Sequence, residues 1–440
     1  MRVDAIRACF EGVIPSTMTT VSLDGTPNVA YLSQVQFVDS EHVALSYQFF
    51  NKTRANLLEN PHAMLIVVDP VSGLQYRLRL EFLRTETAGA LFESMKAKIA
   101  GIASHMGMSH VFKLLGSDVF RVHEVAQVPG EMLPPPPHRN LLSALRRATA
   151  RIGPGGDLET LLSDTLDGLA REFDIAHSMA LLYDQAGERL YTVASRGYEE
   201  SGVGSEISLG DGVIGVAARE HTPIRIGHMS AEYSYNRAIR DNALDGGTGA
   251  LETEIPLPGL CESRSQLAVP MLAAQRLIGV LYVESPQDMR FTYDDEDALV
   301  ALGNQLAMAI HMLQSTSDAG EEIAAPGGHG ECPRGEPLLV RHYPENDSIF
   351  LGDDYLIKGG AGSIFVALVA DAVELGRTEF SNRELRLDPR IRLPDLSDNL
   401  EARLLLLARR LAERDIGIQI EKTGRGRFRL RSTRPLRLVS

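Results

Sequence analysis

The sequence predicts a multidomain α+β chain in three globular parts: a small β-barrel, a mixed α/β domain, and a helical domain that ends in a β-hairpin. Three observations carry this. The chain has 440 residues, more than one hydrophobic core usually organises. Two stretches read as linkers, "VPGEMLPPPPHR" with four consecutive prolines and "STSDAGEEIAAPGGHGECPRGEP", rich in Gly, Pro, Ala and Glu. The first favours a stiff extended spacer and the second has little to bury. The elements also change along the chain, from a strand-rich first part, to helices, a sheet and a helix, to three helices followed by a β-hairpin. The division is 1–127, linker 128–139, 140–314, linker 315–337, and 338–440.

Bulk composition sets the class. Hydrophobic content of 44% with 23% charged residues is that of soluble globular domains. No apolar run approaches the ~20 residues a membrane span needs. The N-terminus, MRVDAIRACFEGVIPS, lacks the basic start and apolar stretch of a secretory signal. Three cysteines, Cys9, Cys261 and Cys332, have neither metal spacing nor an even count. A cytoplasmic, reducing setting is expected. The net charge of -14 is concentrated in the middle part, while the last 25 residues are basic. The acidic middle argues against nucleic acid there, and the basic end leaves it open.

The first part reads as strands joined by turns. Asp24-Gly25 signals a hairpin and Pro70 to Gly73 another turn. "YQFFNKTRANLLENPHAMLIVVD" reads as strand, basic turn, helix closed by Asn-Pro, and strand again. "AGALFESMKAKIAGIASHMGM" is helical and "SDVFRVHEVAQV" a closing strand. Strands that outnumber helices in a part this short predict a small barrel. The Lys52-Thr53-Arg54 helix start suits an anion, because its N–H groups are unpaired and carry partial positive charge. Lys52 and Arg54 add charge, and Thr53 and Ser46 hydroxyl donors. Equally, the same residues fit a solvated basic helix start capped by Asn51.

The segment "GTPNVAYLSQVQFVDSEHVALSYQFFNKTRANLLENPHAMLIVVDP" resembles the FMN-binding split barrel of the pyridoxamine 5'-phosphate oxidase-like superfamily. The resemblance covers nearly all of 1–127. It implies that Lys52, Thr53 and Arg54 contact a flavin phosphate and that Ser46, Tyr47, Gln48 and Phe49 flank the ring. It implies a homodimer with FMN at the interface, and leaves another flavin-like cofactor, haem or no cofactor at all open. The oxidase itself carries an Arg-Lys pair where this chain has Lys52-Thr53, and its C-terminal substrate segment has no counterpart. Pyridoxamine phosphate oxidation is therefore not expected.

The middle part begins with two amphipathic helices, "NLLSALRRATARI" and "LETLLSDTLDGLAREF". Two hairpins follow, the second turning near Ala274-Gln275, and "YDDEDALVALGNQLAMAIHML" is a terminal helix. "LGDGVIGVAARE", "AVPMLAAQRLIGVLYVES" and "FTYDDEDALVALGNQLAMAI" resemble a GAF domain, an α/β sandwich that binds small molecules beside its sheet or serves in dimerisation. Ser230 to Ser265 lies where that family has its pocket lid. The cyclic-nucleotide pattern is half matched: Phe291, Asp295 and Glu296 fit its second half, but Glu284-Ser285 stands where Asn-Lys would be. Acidic residues suit a helix start in any case, so a cyclic nucleotide is disfavoured. "LGDGVIG" lacks the Lys-Ser/Thr ending of a phosphate loop. His177, His221 and His228 lack metal spacing, and Cys261 reads as a loop cysteine.

The last part opens with the short hairpin "DSIFLGDDYLIKG". Three helices follow, the second capped by Ser381 and the third by Ser397 or Asp398. A hairpin turns at Gly424-Arg425-Gly426. This order resembles the winged-helix domain of two-component response regulators, whose third helix enters the major groove. The wing cations Lys422, Arg425, Arg427 and Arg429 suit phosphates. The third helix suits DNA less well. Leu400, Leu404, Leu407 and Leu411 form a core stripe, and Leu405 and Leu406 fall where that family reads bases. A DNA partner and a protein partner are both consistent.

No catalytic constellation and no metal site follow from spacing. The whole-chain expectation is a regulatory protein that senses through a flavin-type barrel and a GAF ligand, with the winged-helix-like end as output. The alternative is a flavin-dependent oxidoreductase with a regulatory GAF domain, since a flavin supplies redox chemistry with few protein groups.

Overall fold

Alternation of apolar and polar residues along "QYRLRL" buries Tyr76, Leu78 and Leu80 and turns Arg77 and Arg79 outward, and the same period shapes the whole first sheet. The computed structural model describes residues 1–11, 14–32, 34–48, 52–105, 114–134, 139–153, 157–185, 187–227, 255–316, 336–391, 400–414, 416–424 and 426–439. The strands of the first part are β1 (Ser16–Val21), β2 (Pro27–Leu32), β3 (Val35–Phe37), β4 (His42–Tyr47), β5 (His62–Val68), β6 (Gln75–Glu86) and β7 (Gly116–Gln127). They form one sheet in the order β2-β1-β5-β6-β7-β4-β3, which curls around a core of Phe10, Met18, Val43, Leu45, Leu65, Leu78 and Phe120. The β1–β2 hairpin turns at Gly25, which has a positive φ of 85°. Helix α1 (Lys52–Glu59) is held to the sheet by Asn56 Nδ2 donating to Thr20 Oγ1 at 3.1 Å. Helix α2 (Ala90–His105) covers the other face of β4 and β7, with Met95 and Ile99 against Ala44 and Val119.

The middle part has α3 (Leu141–Thr149), α4 (Leu158–Phe173), β8 (His177–Asp184), β9 (Arg189–Arg196), β10 (Glu206–Ser208), α5 (Gly212–Glu220), β11 (Ile224–Ile226), β12 (Ser265–Ala273), β13 (Arg276–Ser285) and α6 (Tyr293–Thr316). The sheet runs β10-β9-β8-β13-β12-β11. One face packs Leu182, Leu267, Val269, Leu281 and Val283 against α3, α4 and α6. The other packs Met179, Leu181, Ala268, Val280 and Tyr282 against α5. Ala274 and Gln275 both have positive φ, 49° and 67°, the geometry of a tight two-residue hairpin turn. Gly279 is obligatory: a Cβ there would sit 2.0 Å from the Leu181 carbonyl oxygen.

The last part contains β14 (Leu338–Tyr343), β15 (Ser348–Leu351), β16 (Asp354–Ile357), α7 (Gly359–Leu375), β17 (Glu379–Ser381), α8 (Asn382–Leu387), α9 (Leu400–Arg414), β18 (Ile418–Gly424), β19 (Arg427–Ser432) and β20 (Leu436–Val439). Ser381 caps α8 in a reciprocal box with Glu384. The residues expected to cap α9, Ser397 and Asp398, lie outside the described residues. Strands β17, β19 and β18 form one small sheet, and β16, β15, β14 and β20 another. The parallel pairing of β20 with β14 has no signature in the sequence, because it joins residues about a hundred positions apart. Among the described residues, no helix is long and apolar enough to cross a membrane.

Candidate functional site

The α1 start is the expected anion site, and its three residues go to different places. Lys52 is exposed, near Asp24 of the β1–β2 turn. Hydrogen bonds from Ser22 and the Thr26 amide hold the Asp24 carboxyl at about 2, with Lys52 a smaller contributor. Thr53 is buried and accepts from Asn28 Nδ2 at 2.8 Å. Arg54 folds back into the protein. Its guanidinium pairs with Asp118 on β7, donates to Thr85 Oγ1 at 2.8 Å, and stacks 4.5 Å from the Tyr47 ring and 5.3 Å from the Phe82 ring. Thr85 Oγ1 donates to the same Asp118 oxygen at 2.6 Å.

The preceding strand divides its residues between two faces. Ser46 is buried beside Ser117 on the side that α2 covers, while Tyr47 reaches Arg54 from the opposite side. Gln48 Nε2 donates to Ser46 Oγ at 3.1 Å. Phe49 and Asn51 lie outside the described residues. Of the three residues of this helix start, Lys52 is the one exposed to an incoming anion, and Thr53 Oγ1 is already in one hydrogen bond. Arg54 serves as the support beneath them, its charge balanced by Asp118. The residues present fit a phosphate-bearing cofactor through Lys52 and Thr53, and not through Arg54.

A second polar centre was not anticipated. Arg225 on β11 is 2% exposed and bridges two parts of the chain. Its Nη1 donates to Glu11 at 2.6 Å, its Nε to Glu296 at 2.8 Å, and Nη1 also to the Phe291 carbonyl at 3.0 Å. Burial alone would lower its pKa, but Glu11 and Glu296 more than offset that and hold it above its usual value. Glu11 also accepts the Tyr293 amide at 2.9 Å, placing a carboxylate at the start of α6, where the helix favours negative charge. The Tyr293 ring lies in the barrel core, under Arg225 and Lys98 at 4.4 Å each. Lys98 Nζ donates to its hydroxyl at 3.0 Å. Desolvation, reinforced by Arg225, pushes the Lys98 ammonium down to about 7. Arg7 closes the edge by pairing with Asp297.

This joint also explains the half-matched nucleotide pattern. Glu296 is taken by Arg225. Asp295 is buried and accepts from the Thr292 amide at 3.0 Å as part of a helix cap, and Phe291 is core. All three residues are committed to structure.

Glu284 stands on the α5 face of the middle sheet, in one row with His177 and Gln266. It is 2% exposed. It accepts from the Leu260 amide at 3.0 Å and from the Tyr282 hydroxyl at 3.3 Å. The Tyr198 ring lies against His177, and its hydroxyl pKa is raised by burial and by Glu284. Tyr198 Oη lies beside the Glu284 carboxylate, and Gln266 Oε1 has no hydrogen-bond partner among the described residues. A buried polar atom without a partner among the described residues calls for one from elsewhere. The sequence offered one signal for this row, an acidic residue closing an otherwise apolar strand. Residues 228–254, most of the expected lid and including His228, lie outside the described residues. His221 ends α5, and Cys261 is exposed on the loop before β12. Burial pushes the Cys9 thiol up to about 12, and Cys332 is outside the described residues. Among the described residues no cluster could hold a metal ion.

Of the cations expected on the last hairpin, Lys422 bonds to Asp157, the N-cap of α4, and Arg429 to Glu379. Arg427 is exposed, and Arg425 lies outside the described residues. Helix α9 is held between two cores. Leu400, Leu404, Leu407 and Leu411 face α7, while Ala402 and Leu405 belong to the core of the middle part.

Comparison with known proteins finds two family matches along the chain. Residues 3–126 match the family model "Pyridoxamine 5'-phosphate oxidase" and residues 157–310 match "GAF domain". No curated protein matches the chain. Among solved structures, it is similar to the GAF domain of an Acinetobacter phosphoenolpyruvate-protein phosphotransferase. That match has 22% identity, 41% of this chain, 97% of that one and a TM-score of 0.31. It is similar to an FMN-binding protein from Syntrophomonas wolfei, with 20% identity, 29% and 86% coverage and a TM-score of 0.26. It is similar also to free methionine-R-sulfoxide reductase from Neisseria meningitidis, with 19% identity, 40% and 91% coverage and a TM-score of 0.31. A pyridoxamine 5'-phosphate oxidase-type domain thus precedes a GAF domain in one chain.

Proposed function

We propose that this protein is a sensor in which a flavin-type cofactor in the barrel and a small ligand in the GAF domain report to each other, with the C-terminal domain, read as a winged helix, as output. The carrying observation is the buried joint. Arg225, 2% exposed, bonds at once to Glu11 of the barrel and Glu296 of the GAF domain. A pair so enclosed fixes geometry more than it adds stability. A ligand that favours one arrangement of either domain therefore biases the other.

FMN is the cofactor the family match supports. Lys52 and Thr53 would hold its phosphate, with Arg54 and Asp118 keeping the helix start in place; the bound flavin would supply the redox chemistry. In the GAF domain, Glu284 and Tyr198 favour a small ligand that offers hydrogen-bond donors. A second copy would meet the barrel at β2, where Val29 and Tyr31 are exposed.

The test is the absorption spectrum of the purified chain, before and after addition of FMN. A bound flavin is expected, and Lys52→Ala should weaken it about tenfold, the loss of one charge-assisted contact of ~1.5 kcal/mol. A Soret band would move the barrel to haem. A chain that neither carries nor takes up a chromophore would end the cofactor reading. Turnover of NAD(P)H by the flavin-loaded chain would favour the oxidoreductase.

A further inference from the structure

A helix that reads bases presents polar side chains to the groove. Helix α9 presents the opposite. Its outward face carries Ala402 and Leu405, both buried in the GAF core beside Leu182, Val193 and Leu162. Leu406 is buried too, on the neighbouring C-terminal core, where Val203 of the GAF domain joins it. A Cβ on Gly204 of the GAF domain would stand in ordinary van der Waals contact with Arg410, at 3.6 Å, and Leu406, at 3.8 Å.

Two cations of α9, Arg403 and Arg409, are used in the same contact. Arg403 Nη2 donates to Asp184 on β8 at 3.1 Å. Arg409 Nη1 donates to the Val193 carbonyl on β9 at 2.6 Å, and its Nε stands 4.0 Å from Glu159 on α4. Arg410 turns inward to the Leu356 carbonyl at 3.2 Å and to Glu413 at 2.9 Å. Around the rim, Lys422 bonds to Asp157, Ser201 to Glu413, and Lys358 lies 3.3 Å from Glu206. So the helix that could enter a groove, and one cation of the hairpin beside it, are both committed to the GAF domain. Releasing α9 would expose Leu405 and Ala402 to water, at a cost that grows with apolar area.

From this we infer that α9 is a permanent coupling helix: its partner is the β8–β9–α4 face of the GAF domain, and the C-terminal domain gives its output without offering α9 to nucleic acid. It receives the GAF state through Leu405 and Arg403 on one side and passes it to its own core through Leu404 and Leu407 on the other.

Two measurements on the full chain test this. The first is a charge exchange, Arg403→Asp, Asp184→Arg and both together, read by the midpoint of thermal unfolding. Each single change should lower the midpoint and the double change should recover most of it; losses that simply add would overturn the contact. The second is anisotropy of a labelled mixed-sequence DNA duplex at low salt, with wild type, Arg409→Ala and Leu405→Asp, each checked for native circular dichroism. No salt-dependent binding by any of the three is expected. Binding by wild type that Arg409→Ala weakens would show α9 in a groove. Binding that appears only in Leu405→Asp would make the contact an inhibitory clamp. Either result would overturn permanent coupling. If Leu405→Asp does not fold, the wild-type and Arg409→Ala results and the charge exchange still decide.

Discussion

Lys52 and Arg54 stand two residues apart on the same helix start and do opposite work. Lys52 is free to meet an anion, so Lys52→Ala should change stability by no more than ~0.5 kcal/mol while it weakens FMN uptake. Arg54 neutralises Asp118, whose side chain is 7% exposed. Arg54→Ala should cost about 3–5 kcal/mol, the usual penalty for stranding one buried charge. Urea unfolding of the two variants separates the roles, and equal losses would contradict the assignment. The sequence made the helix start legible through local spacing: three polar residues between two strands. It could not show that Arg54 turns inward, because Asp118 is 64 residues away. The same distance problem hid Arg225, a cation between two isoleucines on a short strand, whose partners Glu11 and Glu296 lie 214 and 71 residues away. Glu284 was legible only as an anomaly, an acid where a motif called for Asn.

At the level of elements, local chemistry made most of the fold legible. The Asp24-Gly25 and Ala274-Gln275 turns, the Ser381 cap and the strand alternation are all set by neighbours in sequence. The Ser381 cap gives a direct check. Ser381 Oγ accepts the Glu384 amide at 3.3 Å, and the Glu384 carboxylate accepts the Ser381 amide at 3.1 Å. Ser381→Ala should cost about 1 kcal/mol, measurable as a lower urea midpoint with an unchanged slope. An unaltered midpoint would mean the cap is redundant with the packing of Phe380 on Phe428. What local chemistry did not reveal were second faces. Helix α9 has apolar residues on more than one side, and only one side can be explained by its own domain. That surplus was visible in the sequence, but the surface that absorbs it belongs to strands more than 200 residues earlier. β20 is a similar case, short and placed by its parallel partner β14.

At the scale of the whole molecule, the barrel–GAF joint should make stability depend on pH through Lys98. This lysine is 6% exposed. Desolvation lowers it first, Arg225 and Arg7 add to the effect, and Glu296 and Glu11 oppose it, leaving it at about 7 against 10.5 in a solvated chain. Below pH 7 it is charged in both states, and the native state bears the full cost of a buried ammonium. Between 7 and 10.5 the unfolded chain holds a proton that the native chain does not. Stability from this residue therefore rises with pH across that window, by at most about 1.4 kcal/mol per pH unit. Tyr293 acts in the other direction, but only above its unperturbed value of 10.0, since burial raises it. Lys98→Met keeps the stem and removes the titration. The difference in unfolding free energy between Lys98→Met and wild type should favour the variant below pH 7, by several kcal/mol in order of magnitude, and shrink steadily as the pH approaches 10. Parallel pH profiles for the two chains would show that Lys98 is solvated, and that the joint between barrel and GAF domain opens in solution. A closing difference would show that it stays shut, as transmission of a ligand signal from one domain to the other requires.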